Sequence, residues 1–352
     1  MSNAGSKNGF KTPVPIFEWD EAEGWSDVLN IDDVKRFGEI SDRLYECELA
    51  YRTANFENAL RLAEELSQPG EDEAVRASAL CTHFMTSIAS ADADGAYEDM
   101  RELYQVCSAG LKSNDAAFRG TSFLCAMRIE DTLMARIFDV PNIDDGIDDV
   151  QGGLKAYMGY LTSLHAIREF NFSRASGITF ATRKLMGPHY PLANVALTLV
   201  SASTAMVEGK VDLAEKEFRH AWKNGGEKGL LMPFVEINFI LFGLRRRCLD
   251  VVGEDRSRQL DRLVNSYRSG WFDLRKKCGL SAFGSELTIL EMAVASLAAL
   301  GWRNKEIAAH LRIAETTVKH QLTSVYQKFG MKKRAELQVF NEPGIYETIL
   351  AL

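Results

Sequence analysis

Thr316, Thr317, Lys319, His320 and Thr323 bring hydroxyls, an ammonium and an imidazole together in one short stretch. Such groups suit the gripping of phosphate oxygens and hydrogen bonding to base edges. Interleaved with them, Val318, Leu322, Val325 and Phe329 recur at helical spacing, so the polar residues share the opposite, outward face. Upstream, Ala293, Val294 and Leu297 form one helical stripe, and Ile307, Ala308 and Leu311 form another after a break at Gly301. A second break at Arg312-Ile313-Ala314 separates that stripe from the polar helix. Two helices joined by a tight turn, the second carrying polar groups outward, describe a helix-turn-helix.

From Leu287 to Leu337 the residues fall in the order LT-x-x-E-x-x-V, G-x-x-NKEIA-x-x-L-x-I, E-x-TVK-x-x-L, Y-x-K-F-G and R-x-EL. This stretch resembles the LuxR-type DNA-binding domain, a small four-helix unit. The resemblance implies that the triplet Thr317-Val318-Lys319 enters the major groove, with Lys319 reaching a guanine edge or a nearby phosphate. His320 and Thr323 then occupy positions that tune sequence choice, and Thr316 faces the same groove. Thr288, Asn304 and Lys305 are expected backbone contacts, and Lys328 is a further phosphate candidate. Three positions depart from the family pattern. Ala314 stands where Ser usually caps the recognition helix, which removes an N-cap oxygen worth about 1 kcal/mol unless Glu315 or Thr316 compensates. Gln321 replaces a usual His, keeping that polar contact in altered form. Arg312 replaces a common Gly, a substitution at odds with a left-handed turn residue. Lys332–Phe340 corresponds to the fourth helix, which mediates dimerisation in this family.

Charge supports a division of labour. The 352-residue chain carries a net charge of −8, yet residues 281–340 hold eight Lys and Arg against five Glu. A basic module on an acidic body fits a protein that meets nucleic acid with one end. With 46% hydrophobic and 26% charged residues, the composition is that of an ordinary globular chain. No apolar run reaches the roughly 20 residues of a membrane span. The N-terminal stretch lacks the charged start and apolar core of a secretory signal. Six scattered cysteines without a C-x-x-C pair suit buried free thiols in a reducing cytoplasm.

From Asp32 to about Lys277 the pattern is helical almost throughout. Asp33–Arg52 turns at Thr53-Ala54-Asn55 into a helix with Ala59. Glu73–Ser90 turns through Ala91–Gly95 into Tyr97–Leu111, and a third helix runs from near Asp115 to Phe138, before the acidic break Pro141–Gly146. Leu154–Phe170 precedes a helix with Ala175, Leu192–Val207 one with Ala214, and Phe234–Cys248 pairs with Asp255–Lys277. Ala175 and Ala214 lie 39 positions apart, against roughly 34 for a standard tetratricopeptide repeat. Small residues let paired helices approach, and each pair leaves an apolar face for its neighbour to cover. The expected fold is therefore all-α, a tetratricopeptide-like helical-repeat solenoid followed by the four-helix reader. The segments GKVDLAEKEF and LLMPFVEINF make Leu154–Arg247 similar to the helical arm of MalT-type regulators.

The expected organisation is an irregular leader over 1–30, with Ile16, Phe17, Trp19 and Trp25 as packing anchors, and a sensor or interaction arm over 31–278. A linker over 279–285, the reader over 286–341 and a tail over 342–352 complete it. No phosphate-loop motif, receiver-type β/α alternation or nucleophile constellation occurs, and the histidines show no ligand spacing, so neither an enzyme nor a cofactor or metal is expected. The expected function is a cytoplasmic one-component transcription regulator that binds double-stranded promoter DNA as a homodimer. RNA polymerase is a candidate partner, and the arm would sense a small-molecule or protein effector. Tyr157, Tyr160 and His165 are pocket candidates there. The alternative is a protein-interaction scaffold whose acidic arm binds a partner protein, with DNA binding secondary.

Overall fold

The computed structural model describes residues 39–140, 152–168, 171–186, 191–241, 244–280, 287, 289–299, 301–311 and 313–341. The leader, the acidic break, residues 281–286 of the linker, Thr288, Arg312 and the tail lie outside this set. Among the described residues every regular element is helical. The arm begins with α1 (Glu39–Arg52), α2 (Phe56–Leu66), α3 (Glu73–Ala89), α4 (Ala93–Gly110) and α5 (Ala116–Leu133). It continues with α6 (Gly152–Arg168), α7 (Phe172–Met186), α8 (Pro191–Val207) and α9 (Val211–Asn224).

One turn recurs in these pairs. The N–H of Asn55 donates to Ala50 O at 2.8 Å, Asp92 to Ser87 O at 2.9 Å, Asn171 to Ala166 O at 2.8 Å and Lys210 to Ala205 O at 2.9 Å. This is the long bond of a Schellman turn, which satisfies a carbonyl at the end of the first helix. Its left-handed residue is Ala54 (φ 62°), Ala91 (φ 62°) or Gly209 (φ 66°) where described. Ala59, Ala96, Ala175 and Ala214 each sit four residues past the turn and are fully buried. A larger side chain there would push the paired helices apart. Ala96 joins the three alanines recognised from the sequence. The acidic caps Asp72 and Asp115 each accept two N–H groups at the starts of α3 and α5.

The expected helix Phe234–Cys248 does not form as one element. The chain instead passes through α10 (Met232–Glu236), a 3-10 turn (Asn238–Ile240), α11 (Leu244–Arg247) and α12 (Leu249–Val252). Met232, Phe234, Val235, Ile237, Ile240, Leu241 and Leu244 are all buried. A segment buried along most of its length has no amphipathic stripe to lay on one neighbour. This segment meets the beginning of the arm. Leu231 N donates to Arg52 O at 2.9 Å, and the buried Glu236 carboxylate gathers three partners. Tyr51 donates its hydroxyl at 2.6 Å, while the guanidiniums of Arg52 and Arg128 approach at 3.2 and 2.6 Å. Burial raises the Glu236 pKa, but Arg128 and Arg52 outweigh it and hold the group below its ordinary value.

The 24-residue α13 (Glu254–Lys277) then runs back across the early helices. Ser266 donates to Ala89 O at 2.8 Å, Trp271 to Thr132 O and Arg275 to Leu133 O. These side chains satisfy carbonyls at the C-terminal ends of α3 and α5. Gly270 makes the crossing possible, because a Cβ there would lie 2.2 Å from Ile88 O. The stacked pairs are thus tied off by a returning helix. The apolar core of the arm runs from Tyr45 to Leu280, and a separate one begins at Leu287.

Glu236→Gln leaves two buried guanidiniums facing a neutral amide, and the expected cost is about 3–5 kcal/mol in chemical denaturation. The native pKa lies below the ordinary 4.5, so this stabilisation is complete above that pH and fades as pH falls through the lowered value. The gap between wild type and Glu236→Gln should therefore narrow only in that acid range. Gly270→Ala should separate α13 from α3, destabilise by roughly 1–3 kcal/mol, and speed hydrogen exchange in both helices.

Candidate nucleic-acid interface

The reader comprises α14 (Ile289–Ala299), α15 (Asn304–Leu311), α16 (Glu315–Phe329) and a 3-10 helix (Arg334–Asn341). The segment expected as a fourth α-helix thus takes the tighter form; it packs on α14. A Schellman turn at Gly301 (φ 87°) ends α14. Glu306 reaches back from the first turn of α15 to accept Arg303 N–H at 2.6 Å, the reciprocal half of a capping box. At the start of α16, Ala314 holds the extended N-cap conformation with no side-chain hydrogen bond. Neither Glu315 nor Thr316 replaces the missing oxygen. Gly330, left-handed at φ 63°, ends the helix.

Val318, Leu322 and Val325 are buried with Val294, Leu297, Ile307 and Leu311. Thr316, Lys319, His320 and Thr323 are consequently exposed on the other side, with Thr317 and Gln321 half-buried between. Thr323 donates to Lys319 O at 2.9 Å, which leaves its oxygen lone pairs outward. The Lys319 ammonium rests 3.1 Å from Glu315, an exposed pair one helical turn apart. Such pairs are worth a few tenths of a kcal/mol and yield readily to a phosphate or base edge. Arg303 and Lys305 lie exposed at the start of α15, and Lys332 and Lys333 follow α16.

Two of the expected contacts are engaged within the reader. Val318 is fully buried, so it seats the helix on its core and presents no surface to a duplex. Lys328 places Nζ 2.7 and 2.9 Å from the two carboxylate oxygens of buried Glu291. Its ammonium thus pairs from the surface with a buried acid, which its release would strand. Asn304 is half-buried, and its carbonyl oxygen accepts from Arg334 at 2.7 Å. Thr288 lies outside the described residues.

Glu291 and Arg334 are positioning residues that the sequence pattern flagged only as members of motifs. Glu291 takes Ser324 and Lys328 from α16 and so fixes that helix against α14. Arg334 grips Asn304 and the Trp302 carbonyl, tying the final 3-10 helix to the start of α15. The signal available was a lone acid in the otherwise apolar run ILEMAVASLAA. Among the described residues no group of His, Cys, Asp or Glu could hold a metal ion, and no helix is long and apolar enough to cross a membrane.

Ala314→Ser restores the absent N-cap oxygen. It should stabilise the reader by about 1 kcal/mol, read as slower exchange of the first α16 amides, with no change in the outward face.

Comparison with known proteins bears on this region alone. Residues 285–340 match the family described as bacterial regulatory proteins, luxR family. No curated protein and no solved structure matches the chain. The buried stripe, the exposed polar face and the family match coincide on the same helices: the C-terminal part of this chain is a helix-turn-helix domain of the luxR family.

Proposed function

We propose that this chain is a one-component bacterial transcription regulator in which a tetratricopeptide-like sensor arm, 31–278, governs a promoter-binding reader, 286–341. The observation that carries the reading is the outward face of α16 in a luxR-family domain. Thr316, Lys319, His320 and Thr323 enter the major groove, with Thr317 and Gln321 at its margin. Lys305 and Asn304 meet the backbone beside them. Uncompensated phosphate contacts would come from Lys305, Lys332 and Lys333. Two readers side by side, joined through Lys332–Phe340, would span adjacent half-sites as helix-turn-helix dimers do. RNA polymerase then meets the bound dimer.

Fluorescence anisotropy with DNA from upstream of this protein's own gene tests the reading. Lys319→Ala should weaken binding by about 1–3 kcal/mol if Lys319 reads a guanine, or lower the salt slope by about one if it holds a phosphate. Unchanged affinity and slope would contradict the assignment.

A second reading draws on a groove of about 730 Å³ between α7, α8 and α9, beside which Phe180 and Leu213 stand exposed. Its lining is mostly polar, with Arg183, Lys184, Glu208 and Glu217 along it, so an amphipathic peptide of a partner protein fits such a channel, its apolar side chains meeting Phe180 and Leu213. A stoichiometric partner captured by wild type and lost with Phe180→Asp, in a chain that shows no promoter response, would favour the scaffold.

A further inference from the structure

A second cavity, of about 330 Å³, lies where the returning helix α13 covers the Glu236 cluster. Its apolar wall is Leu164, Val264, Trp271 and Phe272, and its polar wall includes Arg128, Asp131, Tyr160, Glu236, Tyr267 and Arg268. A mostly apolar cavity of this size with a few convergent polar groups is the usual form of a small-molecule site. The charged pair in its wall is incompletely satisfied. Arg128 Nη2 and Glu236 Oε2 lie 2.6 Å apart as an ion pair, yet both atoms are buried and neither makes a hydrogen bond of good geometry. A guanidinium N–H and a carboxylate lone pair are thus available to a third atom. The ion pair compensates the charges, and a suitable ligand would complete the hydrogen bonding of both atoms.

The chemistry narrows the ligand. One hydroxyl can accept from Arg128 and donate to Glu236 together. The wall sets two arginines, Arg128 and Arg268, against two acids, Asp131 and Glu236, so its charges cancel and a charged ligand would be desolvated without a spare counterion. Trp271, Phe272, Tyr160 and Tyr267 supply ring faces and edges for an aromatic body. We propose that this cavity binds an uncharged one- or two-ring compound bearing a hydroxyl, and that this compound is the effector of the arm. The inference deepens the regulator reading and rests on it. Its route to the reader is short. Val264, Tyr267, Trp271 and Phe272 belong to α13, the last helix before the reader, and Leu287 of the reader core lines the same cavity. Occupancy therefore bears on both sides of the junction at once.

The full-length chain, titrated with 2-naphthol and followed by tryptophan and naphthol fluorescence, tests the site. Saturable binding is expected. It should weaken at least about tenfold, 1.4 kcal/mol, with 2-methoxynaphthalene, which cannot donate, and with naphthalene-2-sulfonate, which is charged. Val264→Trp fills the cavity from its rim and should abolish binding while circular dichroism and the melting transition stay as in wild type. Tyr267→Phe provides a milder change if Val264→Trp melts early. Absence of saturable binding by folded wild type up to the solubility limit overturns the site. Equal binding by Val264→Trp, or equal binding of all three probes, overturns it too. Promoter-DNA anisotropy on the same samples separates the two readings. A chain that binds DNA but no naphthol loses the effector site and keeps the regulator reading. Naphthol binding without any DNA binding keeps the site and removes the regulator reading. DNA affinity that shifts with naphthol supports both.

Discussion

The carboxylate of Glu236, enclosed between the guanidiniums of Arg52 and Arg128, is the constraint on which the arm depends. An isolated acid at that depth would be neutralised or expelled, so its ionised form requires both cations and the Tyr51 hydroxyl in place. Arg52 ends the first described helix, Arg128 lies within α5, and Glu236 closes α10. Three stretches distant in sequence must converge before the charge is matched, and that convergence brings the end of the repeat array onto its beginning. Arg52 is itself steadied by Glu48 at 2.7 Å, so the interior holds two acids against two bases. Once the array is drawn together, the exposed carbonyl ends of α3 and α5 form the surface that α13 caps. The position of α13 sets where the chain leaves for the reader.

The reader repeats the device at smaller scale. Buried Glu291 is matched by Lys328 and Ser324, which locks α16 against α14 without any side chain from the outward face. That separation has a functional consequence. The groups on the outward face of α16 that would touch DNA are free of structural duty, apart from the weak Lys319–Glu315 pair, while the acid that holds the helix at its angle is buried. A rigid backing with an uncommitted face is what contact to base edges demands, since a misplaced helix loses bidentate geometry first.

Much of this was legible in the sequence, for identifiable reasons. The facing of α16 followed from Val318, Leu322 and Val325, because a single buried stripe fixes the opposite side of a helix. The repeated pairs followed from Ala59, Ala175 and Ala214, because close helix approach tolerates few residue types. The Lys328–Glu291 pair was not legible because the partner lies 37 residues upstream, and no local pattern announces an ion pair at that distance. Val318 was read by its place in a triplet although its periodicity had put it inside. Phe234–Cys248 failed as a helix because a segment buried along most of its length carries no period. The Glu236 cluster and the cavity beside it were illegible, since both exist only after α1, α5, α10 and α13 assemble. Tyr160 does line that cavity and Tyr157 stacks beside it, with ring centres 5.9 Å apart, while His165 is exposed.

On the proposed reading, DNA meets this chain at the outward face of α16 and the start of α15. Hydrogen exchange of the full-length protein, read by mass spectrometry with and without DNA from upstream of its own gene, tests it most directly. Slowed exchange is expected in peptides spanning 303–323, strongest at the uncapped first turn of α16, where backbone N–H groups are open to phosphate. Protection confined to the arm, with the α16 peptides exchanging as in the free protein, would contradict it.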